Sequence, residues 1–372
     1  MTRPRPRILL VIDNLHEDVG GAERFFVGLA THLPRERFEV RTLTTRAARG
    51  PLLETLQAAG IPHVNLGRRN KYDYHRLLGL ARVLRRDRID VLHTHKFGSN
   101  ASGTVIGALC RVPVIVAHEQ TWSYEGQPLR KFLDGHVIGR LADRFVSVST
   151  ADRERMISRE GVPAAKTLVI PNAYVPRAVE SRTDLRAELG LAAGTPLVGT
   201  AVQMRPQKAL EVLLDAHVRV LRQVPDAHLV VAGDGPERAR VEQLVGRLGL
   251  GERVSLLGMR EDVDGILRSL DVVALSSDYE GTPLLAFECM AHRTPLVATD
   301  VGGLRDVVED GVTGILVPRR DPEALAAAIV GLLRDPRRRH DLAEAAYARL
   351  GTFTMDAVAA RFADLYDELL AR

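Results

Sequence analysis

Short runs of Val, Ile and Leu alternate with longer amphipathic stretches from one end of the chain to the other. No other feature constrains the fold as tightly. In the first half the apolar runs fall at 7–12, 39–44, 89–94, 112–117 and 144–149, with helical patterns at 21–32, 74–86 and 151–160. Runs apolar throughout need cover on both faces, and strands separated by helices pair in parallel. The stretch 170–182 (IPNAYVPRAVESR) holds two prolines and no period, and reads as a linker. The series then restarts, with strands at 197–202, 228–232, 254–257, 272–276, 296–299 and 314–317 and helices at 209–222, 237–248, 284–291 and 322–333. The expected fold is α/β: two doubly wound, Rossmann-like domains facing a central cleft, with ligands at the carboxyl ends of the strands.

The chain's 372 residues suit two such domains. Its two cysteines, Cys110 and Cys289, rule out a disulfide framework and a Cys-rich zinc site, and they fit a reducing compartment. The apolar run at 8–12 is too short for a signal peptide, and no stretch approaches a membrane span. A cytoplasmic location is therefore expected. The net charge of +4 divides into +10 over residues 1–180 and −6 over the rest. A basic first half suits peripheral contact with an anionic inner membrane face or an acidic acceptor. An Arg-biased composition gives the same charge as a plain solvated face. The basic residues are scattered and no recognition motif accompanies them, so nucleic acid is not an expected partner. No Gly-x-Gly-x-x-Gly follows the first strand, which disfavours a dinucleotide oxidoreductase.

The segment 276–303, SSDYEGTPLLAFECMAHRTPLVATDVGG, is the richest in chemistry. A strand ends near Ser276, and Thr282 and Pro283 then read as N-cap and first residue of a helix. The free amides of Leu284 and Leu285 should point out of its positive end, a ready anion site suited to a diphosphate. Glu280 and Glu288 frame this helix. A carboxylate beside a phosphate repels it, so both acids need another task. Accepting hydrogen bonds from hydroxyls is the obvious one, from a ribose at Glu288 and from a hexose at Glu280. The alternative makes Glu280 a helix cap and Glu288 a surface residue.

Glu280-Gly281-Thr282-Pro283, Glu288-Cys289-Met290-Ala291 and Pro295-Leu296-Val297-Ala298 resemble the signature of the family-four retaining glycosyltransferases, which have the GT-B fold. The following GGLRDVVEDGVTGILVPRRDPEALA resembles the family too. The resemblance implies an N-terminal acceptor-side domain over 1–175, a nucleotide-sugar domain over 176–354, and a helix over 355–371 packing back on the first. It implies retaining transfer of a hexosyl-type sugar from a UDP- or GDP-linked donor to a glycan, glycolipid or natural product, with no further cofactor. Lys208 then neutralises the leaving diphosphate, and His118 stands near the transferred sugar. Gly20 and Gly21 of the first loop, Gly233, Met259 and Gly281 border the donor. The family carries an Arg five residues before this Lys; here it is Gln203, and Arg205 is the nearest cation. Trp122 and Tyr124, in a stretch of loop composition at 120–131, are candidates for the acceptor side or for a loop anchor.

His93-Thr94-His95 ends a strand. We read its two imidazoles as facing opposite sides of the sheet with no carboxylate near, and so expect His95 to line the cleft and no metal to bind. Asp262-Val263-Asp264 has divalent-ion spacing but starts a helix beyond the base loop, so metal-independent transfer is expected. Two other readings stay open. A nucleotide-sugar epimerase of this fold would convert donor without acceptor. A non-catalytic sugar-nucleotide-binding subunit would bind donor without turnover, and Gln203 is its best support.

Overall fold

The computed structural model describes residues 5–15, 21–70, 73–120, 127–176 and 183–372. Gly20, Trp122 and Tyr124 lie outside the described residues. The chain divides into two compact units, one of Met1–Val175 with Phe353–Arg372, the other of Pro176–Thr352.

Among its described residues the first unit holds seven parallel strands: β1 Arg7–Leu15, β2 Glu39–Ala48, β3 His63–Asn65, β4 Val91–His95, β5 Val114–Glu119, β6 Arg144–Ser147 and β7 Thr167–Val169. Their order is β3-β2-β1-β4-β5-β6-β7, so the winding reverses between β1 and β4. Strand β1 shows why the sheet is covered twice. Ile8, Leu10 and Ile12 join one core cluster, while Leu9 and Val11 join another on the opposite face. The first cluster lies under helices Gly21–His32, through Phe25, Phe26 and Leu29, and Met355–Leu370, through Val358, Phe362 and Tyr366. Thr354 caps the latter helix by accepting from the Ala357 amide.

Among its described residues the second unit has six parallel strands: β8 Leu197–Ala201, β9 His228–Ala232, β10 Val254–Gly258, β11 Val272–Leu275, β12 Leu296–Thr299 and β13 Ile315–Val317. They run β10-β9-β8-β11-β12-β13, with the reversal between β8 and β11. Both units are Rossmann-like.

Several elements are absent from the sequence reading. Strands β3 and β7 have three residues each, too few to show a period. Helix Lys96–Leu109 (KFGSNASGTVIGAL) carries the composition of a loop. Its glycines let it lie close on the sheet: a Cβ at Gly103 would come 2.4 Å from Thr94 Cγ2, and one at Gly107 2.7 Å from Leu92 Cδ2.

Candidate functional site

In open parallel sheets the strand order reverses at one point, and the loops leaving the carboxyl ends there part to make a crevice. In the second unit those loops follow β8 and β11. They are the two that carry Lys208 and Glu280.

After β8 the chain forms a short 3-10 turn, Pro206–Lys208, and passes through Ala209 in the left-handed region (φ 45°) before helix Leu210–Gln223 begins. After β11, Ser276 donates to the carbonyls of Lys208 (2.8 Å) and Ala209 (3.1 Å), tying the two loops together. Gln207 O accepts from the Asp278 amide at 2.8 Å. Lys208 Nζ donates to Glu280 Oε1 at 2.5 Å, and Ser277 Oγ donates to the same oxygen at 2.6 Å. Side-chain exposure is 15% for Lys208 and 6% for Glu280, so the ion pair is largely withdrawn from water. A third loop, after β12, closes on these two. Gly302 (φ +53°) lies so near that a Cβ there would be 1.8 Å from the Glu280 carbonyl oxygen. The Gly303 amide donates to Gly281 O at 2.8 Å.

The helix beyond Glu280 runs Leu284–Ala291, and its N-cap is Pro283, without a side-chain cap. This corrects the expectation of Thr282 as cap and Pro283 as first residue. Pro283 has ψ 128°, an extended conformation, so the helix starts one residue later. The Ala286 amide bonds Pro283 O, whereas the Leu284 and Leu285 amides have no acceptor within the helix and face its amino end. Thr282, Leu285 and Glu288 are buried, at 4–5% exposure. Gly281 and Leu284 are partly buried.

Gly233 and Gly235, after β9, pack on the β8 loop: a Cβ on Gly233 would be 2.0 Å from Val202 O. Met259, after β10, is 67% exposed. Arg205 is exposed and lies along Leu210, Glu211, Glu237 and Arg240. The structure therefore brings Lys208 and Glu280 together but does not bring Arg205 to them. Ser277 and Gly302, which hold Glu280 from two sides, went unread in the sequence. Both sit in the motif segment, but only the packing gives them a role.

In the first unit the corresponding reversal lies between β1 and β4. Gly21 opens helix Gly21–His32 there. Lys96 (φ 68°) follows β4 and pairs with Glu23 at 2.8 Å. Asp13 Oδ1 accepts from Thr45 and Ser99, and a Cβ on Gly98 would be 2.0 Å from Asp13 Oδ2.

His95 and His118 sit at the ends of adjacent strands as register partners. The expectation that His93 and His95 face opposite ways is wrong. Side chains two apart in a strand share a face, and the two ring centroids are 4.1 Å apart. His118 joins them at 5.5 and 5.1 Å. All three are at 0% exposure beneath Phe25, Phe26 and Phe362. His95 thus lines no open surface, and His118 offers no exposed atom for contact with a sugar. Burial pushes His118 down to about 3. Burial, then the neighbouring imidazoles, hold His93 and His95 well below the usual histidine range.

Two family models match the chain: glycosyl transferases group 1 over residues 181–349 and glycosyltransferase family 4 over 19–176. The chain is 30% identical to an alpha-D-kanosaminyltransferase of Streptomyces kanamyceticus over 308 residues, 77% of this chain and 79% of that one. It is also 30% identical to a D-inositol 3-phosphate glycosyltransferase of Xylanimonas cellulosilytica, with 95% and 93% covered. Its fold resembles the crystal structure of Anabaena HepE in complex with UDP-glucose, at a TM-score of 0.84 and 23% identity, covering 97% and 99% of the two chains.

Proposed function

Because this chain belongs to the family-four glycosyltransferases, we propose that it moves a hexosyl-type group from a UDP- or GDP-linked sugar to a glycan, glycolipid or natural-product acceptor with retention at the anomeric carbon. The observation that carries the reading is the Lys208–Glu280 pair, held in the two switch-point loops beside the amino end of helix Leu284–Ala291. Lys208 has three donors and gives one to Glu280, leaving charge and donors for the departing diphosphate. The Leu284 and Leu285 amides add a fixed positive dipole at the same place. Lys208 and Ser277 both bond Glu280 Oε1, so Oε2 remains for a sugar hydroxyl. Glu288 takes the ribose hydroxyls. Gly233, Gly281 and Met259 border the donor through backbone contacts.

The diphosphate leaves without a divalent ion in this reading. Asp262, the first acid of the one Asp-x-Asp, is engaged by Arg260 at 2.6 Å and by Thr183 at 2.5 Å. Asp264 is buried 3.1 Å from His292 Nε2. Among the described residues no helix is long and apolar enough to cross a membrane. We place the reaction in the cytoplasm, with the basic first half available to an anionic membrane face.

Titration calorimetry against a panel of UDP and GDP sugars, followed by turnover with acceptor pools and NMR of the product anomer, tests the proposal. Selective donor binding and a retained anomer support it. Inversion, or donor conversion with no acceptor present, overturns it.

A further inference from the structure

The sheet of the first unit carries opposite charge on its two faces. Leu9, Val11 and Leu92 lie on one face, which Ile115 and Ala117 of β5 continue, and Ile8, Val91 and Val114 lie on the other. Three neighbouring helical segments cover the first of these: Leu78–Arg86, Lys96–Leu109, and Pro128–Leu133 with its continuation to Leu141. Residues 78–86, 96–111 and 128–141 hold eight Lys/Arg and a single acid, Asp134, which is fully buried. The helices of the opposite face, Gly21–His32, Pro51–Ala58 and Met355–Leu370, hold two Lys/Arg and six acids. An Arg-rich composition alone does not sort charge across a sheet in this way. Arg82, Arg85, Arg111 and Arg140 are exposed and have no acid paired to them among the described residues. Apolar side chains accompany them. The first unit has five exposed large apolar side chains among its described residues, and all five stand on these segments: Leu78, Leu109, Leu129, Phe132 and Leu141, at 40–73% exposure. Exposed leucines scattered singly need no explanation, but five gathered on one basic face do. Helix Thr150–Glu160, next along the same face, balances three arginines against three acids and exposes no large apolar side chain, so it bounds the patch.

We propose that this face docks on an anionic lipid bilayer, with Leu129 and Phe132 entering the headgroup layer and the arginines of 82, 85, 111 and 140 meeting lipid phosphates. Leu129 and Phe132 stand three apart on one side of their helix. Phe132 is held outward by stacking on His136, with ring centroids 4.7 Å apart. Apolar tips set among Lys and Arg, with no acid to repel the headgroups, are what an interfacial surface needs. A polyanion such as nucleic acid would use the cations but gain nothing from the leucines. A protein partner would favour a packed apolar centre ringed by polar groups, whereas here cations and apolar tips are interleaved. This surface gives the membrane contact proposed above a definite place and rests on that reading. It asks nothing of Lys208 and Glu280, which belong to the other unit.

The test is flotation of the full chain with phosphatidylcholine vesicles, either pure or containing about 30% phosphatidylglycerol. The chain should float with the anionic vesicles only, and less so as salt rises from about 0.1 to about 0.5 M. Arg82→Gln/Arg85→Gln should weaken partition about 25-fold, near fivefold for each charge. Leu129→Ser/Phe132→Ser should weaken it at least about tenfold. Arg222→Gln/Arg247→Gln, the same charge change at exposed positions of the second unit, should stay within about twofold of wild type. All six positions are exposed or on exposed helix faces, so the melting temperature should barely move. Wild-type chain that fails to float with anionic vesicles overturns this surface and the membrane contact together. Flotation that the two patch variants leave undiminished overturns this surface alone. Loss in the arginine variant without loss in Leu129→Ser/Phe132→Ser marks a plain polyanion site and overturns lipid docking. Sugar transfer is not read in any arm, so none of these results bears on it.

Discussion

Replacing Lys208 separates its task at the donor from its task in the fold. Lys208→Met removes the cation but keeps most of the side-chain volume. Glu280, 6% exposed, is left with its charge and the Ser277 hydroxyl. Breaking a buried pair from one side costs about 3–5 kcal/mol, and the lower end applies because Lys208 retains some exposure. For a unit of this size that is a fall of roughly 6–12 °C in melting temperature. At the donor, a unit charge about 4 Å from a phosphate at an effective dielectric of 20 is worth about 4 kcal/mol. If half to all of that develops as the diphosphate departs, kcat/KM falls about 30- to 1,000-fold. The double variant Lys208→Met/Glu280→Gln removes the stranded charge while Gln keeps a partner for Ser277. It should recover about 2 kcal/mol of the lost stability and none of the turnover. Differential scanning fluorimetry alongside steady-state kinetics gives both readouts from one preparation. Were turnover to return together with stability, Lys208 would serve only to neutralise Glu280, and the leaving-group argument would be refuted.

Glu288→Ala should weaken the nucleoside diphosphate by about 1.5–3 kcal/mol, the value of hydrogen bonds to a charged acceptor, with little change for a 2′,3′-dideoxy analogue; equal losses for both ligands would remove Glu288 from the ribose. Gly302→Ala should cost more than about 2 kcal/mol, because it adds a contact at 1.8 Å to left-handed backbone strain, whereas Gly249→Ala, also at positive φ but with open space around it, should cost about 1 kcal/mol. Equal melting temperatures for the two would contradict the packing of the third loop on Glu280. Asp134 is fully buried, and burial, then Glu119 and Glu160, raise its carboxyl to about 8 against the opposing pull of Arg130. The folded state thus binds its proton more tightly than the unfolded chain, and this group's contribution to stability is lost as pH rises from about 4 through about 8. Asp134→Asn should flatten that slope and raise the melting temperature at pH 8 more than at pH 5; a variant less stable than wild type at pH 8 would argue against it.

Much of this architecture is written in local pattern. Ile8 to Ile12 are apolar at every position, which only a strand covered on both faces satisfies, and β1 extends beyond them to Leu15 as a central strand. The motif 276–303 was legible because its chemistry is consecutive: strand end, acid, glycine, helix start. Its cap was misjudged because Thr-Pro satisfies two registers, and only the ψ of Pro283 decides between them. Helix Lys96–Leu109 does not stand out in the sequence because its glycines and small polar residues break any amphipathic period; Gly103 and Gly107 serve close approach to Thr94 and Leu92 instead.

The histidines show where reading by segment stops. His93 and His95 are two residues apart, and strand periodicity alone should have put them on one face. His118 is different, because nothing in its own segment places it opposite His95. That follows from β4 and β5 being neighbours in the sheet and from the register His95↔His118. Tyr366 is farther still, reaching His93 across 273 positions because the C-terminal helix returns to the first unit. Lys208 and Glu280 are also distant in sequence, yet each follows its own strand, and the winding order alone brings β8 beside β11. A crevice at a switch point needs only strand order, which the alternation of apolar runs supplies. A cluster inside the core needs register and the docking of a remote helix as well, so it becomes visible only when the sheet is assembled.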